Sequence, residues 1–297
     1  MVKKIRYSST DILSQLEICG FSILSKLSNS IKEKNIYDKN TIQYYLWIEF
    51  TEKNIPFLIV LSNYIYDQYI DKKIKTVLFS TRDCVFLKPL FNKLYPEVPS
   101  DTFYSSRALY LFPPNEYIEY CKRVLTHDSM VIDFQGTGQS FKTLVSNFNL
   151  EPWYLLVNWN AQDKMQYSNT YLHNYDKKII IRKKNYFDDA IEKLNIDLIG
   201  TYFDYHNGNP IAFTYEYDPS IMVSLHRCFE VFVNNLDSNI DQIKNYKWTQ
   251  SFNEWMDKYY VHGDVIANIN WIHTHFKYDK ETLSAIREQY RHDEKTH

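Results

Sequence analysis

The chain has 297 residues and a formal net charge of −2, without the basic excess that would make nucleic acid its main partner. Hydrophobic residues make up 44% of it, enough to bury the core of one large α/β domain with a helical annex. Its four cysteines, Cys19, Cys84, Cys121 and Cys228, form no C-x-x-C pair, which argues against zinc, dithiol and disulfide-framework classes.

In chain order, Met1 to Arg6 run into polar Tyr7-Ser8-Ser9-Thr10 with no apolar signal core. The longest apolar stretch, Ile55 to Leu61, is broken by Pro56 and is too short to span a bilayer. A cytoplasmic protein with no membrane span is expected. Residues 10–75 read as helices: Thr10 and Asp11 offer an N-cap before Ile12, Leu16, Cys19 and Ile23 at helical spacing. A second helical run covers Thr41 to Ile70, with Pro56 opening its last helix.

The texture then changes to strands alternating with helices, which predicts a mainly parallel sheet. Strand signals fall at Lys75–Phe79, Thr102–Tyr104, Ser129–Phe134, Trp153–Trp159 and Lys178–Arg182. Residues 186–196 read as a helix and 199–215 as a hairpin around Asn207-Gly208. Helices are expected again over 219–236 and 245–292. No internal repeat or linker divides the chain, so the expectation is a single domain over 1–297. It has a helical N-terminal part (1–74), an α/β core (75–215) and a helical C-terminal part (216–297).

Three loops follow predicted strands, where an open α/β sheet gathers its ligands. The most specific is Asp133-Phe134-Gln135-Gly136-Thr137-Gly138-Gln139-Ser140. Its glycines let successive N–H groups converge on an anion, the next helix adds its positive end, and Thr137 and Ser140 add hydroxyls. Asp133 would repel a bare phosphate but suits ribose hydroxyls, so the loop fits a phosphorylated sugar. A bland strand–helix turn competes with this reading. A nucleotide P-loop is a near miss, because Phe141 stands at its second glycine, before Lys142-Thr143. In the second loop, Ser80-Thr81-Arg82-Asp83, the arginine and hydroxyls suit a pyrophosphate and Asp83 a metal or a base; a solvated surface turn competes. In the third, Ser105 and Ser106 with Arg107 make a fork for phosphate oxygens, or equally a helix N-cap with a surface arginine. Elsewhere, His262, His273 and His275 lack a helical ligand partner and read as structural, while Asp188, Asp189 and Glu192 suit a helix start.

The run Lys75-Thr76-Val77-Leu78-Phe79-Ser80-Thr81-Arg82-Asp83-Cys84 resembles the "FLARDG" signature of domains from bacterial polysaccharide gene clusters. Tyr104 to Leu109 resembles their "SRRAL" element, Val131-Ile132-Asp133 with Gly136-Thr137 their "VDIGWxGT" segment, and Glu192-Lys193-Leu194 a later one. The resemblance covers residues 50–200. It implies a type I phosphoribosyltransferase-like fold with helical N-terminal and C-terminal additions, and a magnesium-dependent transferase. Such modules in capsule and O-antigen enzymes move ribose 5-phosphate, a ribofuranose donor group, from phosphoribosyl pyrophosphate (PRPP) to a sugar hydroxyl. A phosphatase domain often accompanies them, but D-x-D-x-T is absent here. A separate phosphatase and other glycan-assembly enzymes are therefore the implied partners, beside PRPP and a glycan acceptor.

Carried over residue by residue, the resemblance gives Asp133 the ribose 2- and 3-hydroxyls and Gly136, Thr137, Gly138, Gln139 and Ser140 the 5-phosphate. Ser80, Thr81 and Arg82 would form the pyrophosphate loop, with Ser105, Ser106 and Arg107 beside it. Asp83 and Asp133 would hold magnesium. Arg82 and Arg107 would neutralise the leaving group, and Asp83 would serve as base. Two departures stand out: one acidic residue, not two, precedes the phosphate loop, and Cys84 replaces a glycine. A non-catalytic phosphosugar binder is the alternative on the same fold.

Overall fold

The computed structural model describes residues 11–81, 83–160, 172, 175–184, 189–195, 197, 199–213, 219–260, 265–266 and 279–295. Arg82, Asp188, His262, His273 and His275 lie outside them.

Five strands form one parallel sheet: β1 (Thr76–Ser80), β2 (Ser100–Phe103), β3 (Ser129–Gly136), β4 (Trp153–Asn160) and β5 (Lys178–Lys184), in the order β2-β1-β3-β4-β5. The inner strands β1, β3 and β4 are largely apolar, as strands buried on both faces must be, while the edge strands β2 and β5 carry polar and charged residues. Successive residues alternate between two cores. Val77, Phe79, Ile132, Phe134, Leu155 and Val157 enter one; Leu78, Val131, Tyr154 and Leu156 enter the other. Helix α5 (Leu87–Leu94), on the crossover from β1 to β2, packs on the first core. Helices α6 (Arg107–Leu111), α7 (Asn115–Val124) and α8 (Gln139–Ser146), on the crossovers toward β3 and β4, pack on the second. Crossovers that run in opposite directions must lie on opposite faces if all keep one hand.

The N-terminal part is helical, as its periodicity predicts. Asp11 caps α1 (Ile12–Ile18), accepting a 3.0 Å bond from Ser14 N–H, and α2 (Ser22–Glu33) follows. The helical run expected over 41–70, with Pro56 opening its last helix, is α3 (Ile42–Glu49) and α4 (Ile55–Asp71), joined by a π-turn at Phe50–Asn54. A buried ion pair explains the widened turn's company: Lys53 Nζ lies 3.1 Å from Glu49 Oε1, and Glu49 also accepts the N–H groups of Val265 and Ile266. Pro56 stands in the first turn of α4, directly after the π-turn.

Short α9 (Asp189–Lys193) also packs on the first core. Strands β6 (Tyr202–His206) and β7 (Asn209–Ala212) form the expected hairpin, with Asn207 and Gly208 both at positive φ, the backbone that a two-residue turn demands. Helices α10 (Pro219–Asn234), α11 (Ile240–Ile243) and α12 (Gln250–Trp255) close the first core. A second π-turn, Met256–Tyr260, follows α12. The last helix, α13 (Lys280–Lys295), docks on the hairpin through Arg291, bidentate to buried Asp204 at 3.0 Å, and Arg287, which donates to the Phe203 carbonyl. Among the described residues no helix is long and apolar enough to cross a membrane.

Candidate functional site

In this strand order, the chain leaves β1 toward one edge of the sheet and leaves β3 toward the other. The carboxyl ends of β1 and β3 therefore diverge into a crevice, the usual ligand position of such sheets. A cleft of about 170 Å³ lies there. All three polar loops reach it: Thr81 and Asp83 after β1, Ser105, Ser106 and Arg107 after β2, and Asp133 with Gly136 to Ser140 at and beyond the end of β3. Ser80 does not line it. As the last residue of β1 it is drawn into the protein, 2% exposed.

The glycine loop has the shape of an anion cradle. Gly136 (φ 155°) and Gly138 (φ 71°) hold backbone angles that side chains resist. Gly138 is also required for space, since a Cβ there would lie 1.9 Å from Leu172 Cδ1. Gly138 is the N-cap of α8 and supplies no side-chain acceptor, so the Ser140 and Phe141 N–H groups of the first turn remain donors toward the cleft. Thr137 Oγ1 accepts the Gln139 N–H at 3.3 Å and shapes the turn. Phe141, which stands where a nucleotide P-loop needs glycine, is buried and stacked on Tyr154 at 4.3 Å between centroids. Lys142 lies over the Tyr175 ring at 4.9 Å, a cation–π contact on the helix rather than a phosphate ligand.

The hydroxyls of the other two loops are largely spoken for. Thr81 Oγ1 donates to the Ser105 carbonyl at 3.2 Å and accepts the Ser105 N–H at 2.9 Å, latching the ends of β1 and β2 together. Ser106 Oγ donates to the Tyr202 carbonyl at 2.5 Å and accepts the Leu109 N–H at 3.1 Å. The helix-cap reading of Ser106 is thus the one observed: its proton is committed, and its task is to set Arg107 in the first turn of α6.

Asp133 and Asp83 meet. Both side chains line the cleft, near enough for Asp83 to act on the Asp133 carboxyl, although they come from loops 50 residues apart in sequence. Burial pushes the Asp133 carboxyl above its ordinary value, against the hydrogen bonds from Tyr154, Asp83 and the backbone at Phe134 and Gln135, which pull it down. Tyr154 Oη donates to Asp133 Oδ2 at 2.5 Å. Burial, and next the Asp133 charge, keep the Tyr154 and Tyr110 phenols protonated, so both enter the cleft as donors. Cys84 points away from this chemistry: it is buried, with its Sγ 3.7 Å from the Ile132 carbonyl, and burial holds its thiol well above the usual range.

Sequence reasoning singled out neither Tyr110, Gln135 nor Tyr154, and it read Glu192 as a helix-start residue. All four line the cleft. Gln135 Nε2 donates to Glu192 Oε2 at 3.4 Å, and Gln135 Oε1 accepts from buried Asn158 at 3.1 Å. The period-2 pattern of β3 puts Gln135 beside Asp133 on one face and could have flagged it. In the sequence Glu192 reads only as a helix-start residue and as part of the Glu192-Lys193-Leu194 resemblance, neither of which gives it a role at a ligand.

Among the described residues no group of three or more His, Cys, Asp and Glu side chains is placed to hold a metal by itself. Asp83 and Asp133, two carboxylates lining one cleft, do fit a magnesium ion that takes its remaining ligands from substrate oxygens and water. The cation would relieve the repulsion between them. Compared with known proteins, the chain matches no family model and no curated protein.

Proposed function

We propose that this protein is a phosphoribosyltransferase that carries ribose 5-phosphate from PRPP to a sugar hydroxyl of a surface glycan, releasing pyrophosphate. One observation carries the reading: an N–H-lined glycine loop and a carboxylate pair share one small cleft at the β1–β3 crevice. A phosphate alone needs only the loop, and a neutral sugar needs only the carboxylates. A phosphorylated ribose uses both. The all-parallel order β2-β1-β3-β4-β5 and the three motif-bearing loops also favour a type I phosphoribosyltransferase-like fold.

In this reading Gly136 to Ser140 bind the 5-phosphate and Asp133 accepts hydrogen bonds from the ribose 2- and 3-hydroxyls. Tyr154 fixes the Asp133 carboxylate. Arg107 and the Tyr110 hydroxyl stabilise charge that grows on the departing pyrophosphate, in a site whose donors are already oriented. Asp83 and Asp133 would hold magnesium, which supplies neutralisation of the pyrophosphate oxygens when bound. The lining carboxylates, Asp83, Asp133 and Glu192, make a cation necessary for so anionic a donor. Displacement at C1 passes through an oxocarbenium-like state, and the acceptor oxygen takes the carbon as the C1–pyrophosphate bond breaks.

The test follows pyrophosphate release from PRPP in the presence of magnesium and a panel of oligosaccharide acceptors, with mass spectrometry of the sugar. Acceptor-dependent release with gain of one ribose 5-phosphate supports the reading. Binding of PRPP without consumption identifies a phosphosugar-binding protein, and a preference for ATP contradicts the reading.

A further inference from the structure

Every enzyme that joins a sugar hydroxyl to C1 must dispose of that hydroxyl's proton. Asp83 is the first candidate by sequence, but it lines the cleft with Asp133, and both are assigned to cation and ribose. The third carboxylate at the cleft, Glu192, has a different setting.

Glu192 reaches the cleft from the opposite side of the sheet to the phosphate cradle. Its neighbours on α9, Ala190 and Ile191, pack in the core that holds Phe134, whereas Phe141, Leu144 and Val145 of α8 pack in the core that holds Tyr154. A donor seated on α8 therefore leaves the α9 side for the second substrate. Glu192 is also oriented: Gln135 Nε2 donates to its Oε2, and buried Asn158 fixes the Gln135 amide by donating to Oε1. The relay keeps an N–H facing the carboxylate, so Glu192 is held as an acceptor. This is the arrangement required of a base.

We infer that Glu192 is the general base for the acceptor hydroxyl, a role that rests on the phosphoribosyl-transfer reading above. The acceptor O–H gives its proton to the Glu192 carboxylate as the oxygen bonds to C1. The electron pair of the C1–pyrophosphate bond leaves with pyrophosphate, and the proton passes from Glu192 to solvent after product departs. Gln135 is the positioning residue.

The experiment measures pyrophosphate release from PRPP and magnesium by the full chain, with glycerol as surrogate alcohol and with water alone, for wild type, Glu192→Gln and Glu192→Asp. The expected result is a kcat lower by about 100-fold in the Gln variant, an unchanged half-saturation by PRPP, and partial recovery in the Asp variant. Wild-type turnover by Glu192→Gln would overturn the role. So would a loss of PRPP affinity that matches the loss of rate, because Glu192 would then belong to donor binding or to folding. Wild type that binds PRPP but releases no pyrophosphate to either nucleophile also overturns it, and leaves a binding site. Wild type that does not bind PRPP overturns the transferase reading itself.

Discussion

Gly138 is the most constrained single residue of the cleft. Its left-handed backbone and the 1.9 Å approach that a Cβ would make to Leu172 act together. Gly208 is also left-handed, but a Cβ there meets nothing within 4 Å. Gly138→Ala should therefore cost about 3 kcal/mol in urea unfolding, and Gly208→Ala about 1 kcal/mol. Equal losses would mean that the phosphate loop yields easily. Asp133 gives a second prediction at this scale. Its pKa is raised in the folded state, so the folded protein binds the more protons between the ordinary value near 3.8 and the raised one. Its stabilising contribution is complete below the unfolded value and is lost as pH rises through the folded one. In magnesium-free buffer, Asp133→Asn should be more stable than wild type at pH 7, with the gap closing as pH falls through the raised folded value and already closed near the ordinary value of 3.8. A variant less stable than wild type at neutral pH would show that the carboxylate is held by favourable contacts rather than strained by burial.

At the scale of elements, two polar ties hold the hairpin over the α6 loop. Arg291 and Arg287 of α13 meet Asp204 and Phe203 of β6, and Ser106 ties α6 to Tyr202 of the same strand. Arg291→Ala leaves a buried carboxylate short of its main partner and should destabilise by about 3 kcal/mol. Ser106→Ala removes a cap and a backbone tie, and should cost about 1–2 kcal/mol. It should also weaken phosphate-ester binding through Arg107 without removing a ligand contact. Little change in melting temperature for either variant would mean that the hairpin does not depend on these ties. The elements themselves were largely legible in the sequence. β-rich runs followed by polar turns marked β1, β3 and β4, Asn207-Gly208 marked the hairpin, and proline marked the start of α4. The π-turn at Phe50–Asn54 was not, and the buried Lys53–Glu49 pair at that turn is completed by the distant backbone of Val265 and Ile266, which no local pattern announces. Glu192 was hidden for the same reason. Its local pattern is that of a helix start, and only tertiary packing of α9 brings it to Gln135. The resemblance calls for a second acidic residue before the glycine loop; Asp83 reaches the same cleft as Asp133 from the end of β1, which spacing along the chain could not reveal.

For the whole molecule, the governing fact is the sheet order. It brings the ends of β1 and β3 side by side, with cradle and carboxylates on one rim and an oriented glutamate on the other. The helical additions bury the first face of the sheet, and α6, α7 and the hairpin cover the second, so the carboxyl edge is where the cleft opens. The central claim is that this crevice holds a phosphorylated ribose through both halves of its chemistry. The measurement that tests it most directly is a thermal-shift titration with magnesium and PRPP, ribose 5-phosphate, pyrophosphate or ATP, on wild type and Asp133→Asn. Binding raises the melting temperature by mass action. The largest rise is expected with PRPP, a smaller one with ribose 5-phosphate, and loss of both in the variant. No response to PRPP, an undiminished response in Asp133→Asn, or a larger rise with ATP would contradict it.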